Sequence, residues 1–131
     1  MIEIYNLSWQ MMSSNANKIY MAIVAHTAWK KRLNDVIDTG KNTYNTDHHA
    51  CDFGTWLDEN EEELQQFDHY TKVKQLHKKF HFEAANIIDL ATSGRGEEAK
   101  KALDYGGDFE TISHQLVEEI IAWHDVVIGK K

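Results

Sequence analysis

No proline occurs anywhere in the 131 residues. Helix interiors exclude proline, whereas strand-rich folds normally use it in their turns, so its absence leans toward an all-helical chain. Strand signals are missing too: no alternating run is bounded by Asn-Gly or Asp-Gly turns. Cys51 is the single cysteine, which rules out an internal disulfide and fits a reducing compartment. No apolar stretch approaches the roughly 20 residues that span a bilayer. The N-terminus lacks the basic region, apolar run and small-residue cleavage site of a signal peptide. A soluble, cytoplasmic protein is expected, with no membrane partner. Positive charge is also scarce, with 14 basic against 21 acidic residues and a net charge of −7. Nucleic-acid binders usually carry a basic stripe. The nearest candidate, Lys72, Lys74, Lys78 and Lys79, has the spacing of the wet face of a helix, so nucleic acid is not an expected partner.

What remains is apolar and aromatic. Hydrophobic residues make up 42% of the chain, including four Trp, five Tyr and five Phe. That suffices for one core in one domain spanning residues 1–131. Residues 1–15 read as an extension or the start of the first helix, and the stretch Ser13 to Asn17 could cap a helix or lie inside one. From Lys18, Ile19, Ile23, His26, Leu33 and Ile37 recur at helical spacing, and Gly40 is placed to end that helix after Thr39. Residues 40–50 form a polar loop. Ala50 to Leu57 is a short apolar segment, expected as one or two helical turns wedged against the rest by Phe53, Trp56 and Leu57. The acidic run Glu59 to Glu63 is expected to be solvated. A second long helix starts near Phe67-Asp68, with Val73, Leu76, Phe80, Ala84, Ile87 and Ile88 on its apolar side, and ends at Ser93 to Gly96. A last segment from Ala99 to Trp123 is again helical in spacing. Gly106-Gly107 breaks or bends it, two glycines costing about 2 kcal/mol relative to alanine. The expected fold is all-α: an antiparallel four-helix bundle with an additional short helix carrying Cys51.

Three histidines and the cysteine stand out chemically. His77 and His81 are four apart and share one helix face, so both imidazoles can reach one ion. His26 lies on the apolar seam of the first long helix, where a buried imidazole needs partners for its nitrogens. A hydrogen bond to a carbonyl or carboxylate would satisfy it as well as a metal. Cys51 is either a small buried hydrophobe or a fourth ligand. Taken together, His26, Cys51, His77 and His81 match what zinc prefers: four ligands, tetrahedral, nitrogen and sulfur. Four protein ligands close such a site, and no general base is placed beside it by motif, so an enzyme is not expected.

These residues sit in recognisable motifs: His26-Thr27-Ala28-Trp29, Cys51-Asp52-Phe53-Gly54-Thr55-Trp56, and His77 to His81. In that order they resemble the chemoreceptor zinc-binding domain family, over roughly residues 16–128. The resemblance implies a helical bundle, usually homodimeric, that holds Zn2+ through three His and one Cys. It also implies a sensory role beside chemoreceptor or diguanylate cyclase signalling partners, and in some members a cysteine that reacts with hypochlorous acid. Asp52 neighbours Cys51 and is either an outer-shell partner or a surface carboxylate. His48 and His49 read as solvated, and His69, His114 and His124 match no family motif. An alternative is a hemerythrin-like di-iron bundle using His26, His77, His81 and His114 with Glu118 or Glu119. Two irons need bridging carboxylates and a further His-x-x-x-Glu from the second helix, but the corresponding Cys51 segment offers no histidine with a following glutamate, and cysteine favours zinc. A plain helical interaction protein with incidental histidines is the third reading.

Overall fold

The computed structural model describes residues 2–44, 46–47, 51–104 and 106–127, with side chains from Asn15 onward. His48, His49 and Ala50 lie outside the described residues. Among the described residues every regular element is helical and no strand occurs. The elements are α1 (Ile2–Thr27), α2 (Trp29–Thr39), α3 (Asp52–Glu59), α4 (Glu61–Leu64), α5 (Asp68–Thr92), α6 (Gly96–Leu103) and α7 (Asp108–Val127).

These group into five helical units packed antiparallel: α1 running into α2, α3 with the one-turn α4, then α5, α6 and α7. The first unit starts earlier than the periodicity alone suggests, and Ser13 to Asn17 lies inside α1 rather than capping it. It is also interrupted at Ala28, which the spacing of Ile23, His26 and Leu33 does not reveal. Ala28 keeps helical dihedrals, but the bonds across it, Ala28 N to Val24 O at 3.3 Å and Arg32 N to Ala28 O at 3.4 Å, are long. Hydrogen bonds of that length are weak, so the joint falls two residues after His26. The unit ends where glycine predicts: Gly40 takes a left-handed φ of 69° and donates its N–H to Val36 O, a C-cap that a residue with a Cβ adopts only under strain.

α5 is the centre of the bundle, packing against α2, α6 and α7, while α1 packs on α7. Its apolar face, Val73, Leu76, Phe80, Ala84, Ile87, Ile88 and Ala91, is buried throughout. Leu33, Phe109, Leu116, Ile120 and Trp123 close the core from the other helices. Each such side chain stabilises the fold by about 1.5–3 kcal/mol relative to exposure. The Gly106-Gly107 pair breaks rather than bends its segment, separating α6 from α7. A Cβ on Gly107 would stand 2.3 Å from Ala102 O, so the chain can turn this tightly only without one.

The short apolar segment forms α3 and touches both α1 and α5. Phe53 and Leu57 are buried, and Trp56 packs on Trp123 of α7. Glu59 and Glu61 to Glu63 are exposed, as their charge requires, but the run ends in Leu64, a fully buried anchor. Of the four lysines on α5, Lys72 pairs with Glu119 and Lys74 with Glu61, while Lys78 and Lys79 face solvent.

Candidate metal centre

Three elements meet at one point. α1 delivers His26 from its last turn, α5 delivers His77 and His81 from successive turns of its inner face, and Cys51 sits just before α3. Cys51 is extended, with φ −80° and ψ 151°, and caps α3: its Sγ accepts the Gly54 N–H at 3.3 Å. The same atom lies 3.2 Å from Nε2 of His77. One ligand-type atom from each of the four residues lies within 4.8 Å of the others. Among the described residues this is the one grouping of three or more His, Cys, Asp or Glu side chains so arranged.

The donors suit a tetrahedral ion. Bonds near 2.0 Å to nitrogen and 2.3 Å to sulfur hold the donor atoms about 3.3–3.6 Å apart. The Cys51–His77 pair is close to that spacing already. Two of the imidazoles are also fixed in the right tautomer. His26 Nδ1 lies 2.7 Å from Ala22 O, and His81 Nδ1 lies 3.0 Å from Thr46 O. A carbonyl oxygen only accepts, so each Nδ1 carries the proton and donates it. In the neutral ring Nε2 is then left with the lone pair a metal takes, the usual arrangement behind a metal-bound histidine.

Burial sets the electrostatics. His26, His77 and His81 are 3%, 1% and 2% exposed. Desolvation lowers the pKa of His26 from 6.5 to about 4; its bond to Ala22 opposes the shift, and the electrostatic influence of His81 and Arg32 adds to it. The ring is therefore neutral at ordinary pH. Burial likewise pushes the Cys51 thiol up, with Asp52 and Asp47 adding to the effect, while the N–H groups of Gly54 and Phe53 oppose it. Asp52, exposed at the start of α3, thus acts on the site through its field. A cation arriving among these donors reverses that balance and favours the thiolate. The walls are aromatic. Phe53 and Phe80 stand edge-on to His26 at 5.6 and 5.1 Å, and Trp29 stands 5.7 Å from His81.

The other histidines are elsewhere. His69 pairs with Glu119 across α5 and α7, and Lys72 joins the same carboxylate. His114 and Glu118 form a pair on the surface of α7, 76% and 68% exposed, and His124 approaches its neighbour Asp125. The carboxylates required by the di-iron alternative are thus absent from the cluster, and Glu119 is already engaged. Sequence reasoning missed the carbonyls of Ala22 and Thr46, since a backbone acceptor leaves no mark in residue type.

Residues 26–88 match the chemoreceptor zinc-binding domain family. The matched segment begins at the first histidine of the cluster and contains all four of its members. The match assigns residues 26–88 to a chemoreceptor zinc-binding domain. No curated protein and no solved structure matches it. The chemoreceptor zinc-binding domain is a non-catalytic zinc-binding unit, and here it presents a three-His, one-Cys candidate site inside a helical bundle. The family match is shorter than the bundle, which continues through α6 and α7. Among the described residues no helix is long and apolar enough to cross a membrane.

Proposed function

We propose that this chain is a zinc-dependent sensory module in which His26, Cys51, His77 and His81 hold one zinc ion, and in which the state of that site sets the conformation or pairing of the bundle. The convergence of the four donors, with two imidazoles locked on carbonyls, carries the reading. Bound there, the ion would supply a cross-link between α1, α3 and α5. The protein's own residues do the rest. The Nδ1–H bonds keep Nε2 of His26 and His81 aimed inward. Cys51 gives up its proton on ligation and keeps the Gly54 N–H as a partner for its sulfur. A ligand that binds the ordered bundle better than a loosened one shifts the equilibrium toward order.

Cys51 is the exchangeable member of the set. It is partly exposed, and it belongs to a short element rather than to a main helix. Oxidation by hypochlorous acid would convert its thiolate to a sulfenic acid with release of chloride. That removes the anionic ligand and loosens α3. Trp56 against Trp123 gives α3 a contact through which such a change reaches α7. The bundle as a whole, about residues 16–128, acts as one domain. The setting is cytoplasmic, the functional unit a homodimer, and the output a chemoreceptor or diguanylate cyclase partner.

Hydrogen exchange and sedimentation of chelator-stripped protein, with and without added zinc, test the sensory reading. Slower exchange in residues 51–64 together with a zinc-dependent change in α7 protection or in dimer population is expected. Zinc binding that leaves exchange and association unchanged would reduce the site to a structural staple.

A further inference from the structure

The loop between α2 and α3 does more than connect them. Its first half is built from local hydrogen bonds: Thr39 Oγ1 accepts the Lys41 N–H, and Asn42 Oδ1 accepts the Tyr44 N–H at 2.8 Å. These side chains hold the backbone in a turn, as Asn and Thr commonly do. They present Tyr44 to α2. There the Arg32 guanidinium lies over both the Trp29 ring, 5.1 Å from its centre, and the Tyr44 ring, at 5.7 Å. The two rings meet edge-on at 6.0 Å. Two residues beyond Tyr44, the Thr46 carbonyl accepts the proton of His81 Nδ1. Trp29, the base of the clamp, is also the aromatic wall against His81. One set of side chains on α2 therefore fixes the loop whose carbonyl fixes the imidazole.

We propose that Tyr44, clamped by Trp29 and Arg32, is a positioning residue of the zinc site that acts on His81 through the Thr46 carbonyl. The proposal rests on the reading of His81 as a ligand. Thr46 contributes only its backbone in that bond, so what aims that oxygen is the placement of the chain, and among the described residues of the loop Tyr44 is the large side chain that docks on α2. Without the clamp the carbonyl drifts and the proton of His81 Nδ1 is shared with water. The ring then loses its preset orientation. Outer-shell partners of this kind are worth about 10–100-fold in metal affinity. Arginine matters here for its planar face: lysine in its place keeps a positive charge near the site but cannot lie flat over two rings.

The test titrates zinc into the full chain against a chromogenic chelator, for wild type, Tyr44→Ala, Tyr44→Phe and Arg32→Lys. Zinc affinity at least about tenfold weaker in Tyr44→Ala is expected, with Tyr44→Phe near wild type and Arg32→Lys between them. Nitrogen NMR of the zinc-loaded proteins supplies a second readout. The Nδ1–H of His81 should be protected in wild type and Tyr44→Phe, and exchange-broadened in Tyr44→Ala. A backbone amide of α7 followed in the same samples separates the two causes, since a general loss of stability speeds exchange at both protons and loss of the clamp speeds it at His81 alone. Unchanged affinity with a protected proton in Tyr44→Ala overturns the proposal and leaves the site standing. A wild type that takes no zinc overturns both. Arg32→Lys keeps the question open to decision if Tyr44→Ala folds poorly, since weaker zinc with an exposed proton supports the clamp and wild-type behaviour refutes it.

Discussion

Cys51 Sγ and His77 Nε2 lie 3.2 Å apart, joining the residue that caps α3 to the middle of α5. The contact spans 26 positions of sequence and brings a thiol together with a fully buried imidazole.

Removing the sulfur should separate binding from folding. Cys51 is partly exposed and its side chain is small, so Cys51→Ala should change the melting temperature of the metal-stripped protein by no more than a few degrees. Zinc affinity in a chelator competition should fall at least 100-fold, because three neutral imidazoles remain with no anionic ligand. Equal zinc affinity in the two proteins would remove Cys51 from the site.

Zinc should stabilise the wild type by mass action. At free zinc about a hundredfold above its dissociation constant, linkage contributes about 2.7 kcal/mol. For a domain of this size that corresponds to roughly 10 °C in melting temperature. His77→Ala with His81→Ala should abolish the shift while leaving a helical circular dichroism spectrum. A double variant that still gains those degrees would mean that zinc binds elsewhere.

Acid should destabilise the metal-stripped protein in a defined window. The pKa of His26 is about 4 in the fold against 6.5 for the unreacted side chain, so the unfolded state binds more protons between those values. The stabilising contribution is complete above pH 6.5 and is lost as pH falls through 4, amounting to roughly 3 kcal/mol. Glu119 adds to the loss at the acid end. Its partial burial works against ionisation, but the bonds from His69 and Lys72 outweigh it and hold the carboxyl below its usual range. Denaturant melts from pH 8 to 4 should show the decline, and His26→Leu should flatten it between pH 6.5 and 4. An unchanged slope in that variant would show that His26 is not the titrating group.

The turn between α6 and α7 gives a check on the fold that is independent of metal. Gly107→Ala should cost about 1–3 kcal/mol in chemical unfolding, because its Cβ meets a backbone oxygen that cannot swing away. Gly96→Ala, where a Cβ meets open space, should fall within about 0.5 kcal/mol of wild type. Equal effects at both glycines would contradict the packing of this corner.

How much of this was legible in the sequence follows from what each feature depends on. The all-helical bundle was, because Val73, Leu76, Phe80, Ala84 and Ile87 repeat at helical spacing and the core needs that repeat. The meeting of His26, Cys51, His77 and His81 was too, since a seam histidine, an i,i+4 pair and a distinctive short motif are all properties of residue type and order. The break at Ala28 was not, because alanine is the best helix former and its residue type marks no interruption. Leu64 hid at the end of an acidic run. The pairing of His69 with Glu119, fifty positions apart, depends on the docking of α7 onto α5. The Thr46 link to His81 was invisible because a carbonyl belongs to every residue alike.

The central claim is that one zinc ion is held by one sulfur and three nitrogens. Zinc K-edge X-ray absorption on untagged protein, with metal content from plasma mass spectrometry on the same sample, tests it most directly. The account predicts about one zinc per chain, with one sulfur near 2.3 Å and three nitrogens near 2.0 Å, and loss of the sulfur shell in Cys51→Ala. No bound zinc, or about two irons per chain with only oxygen and nitrogen around them, would contradict it.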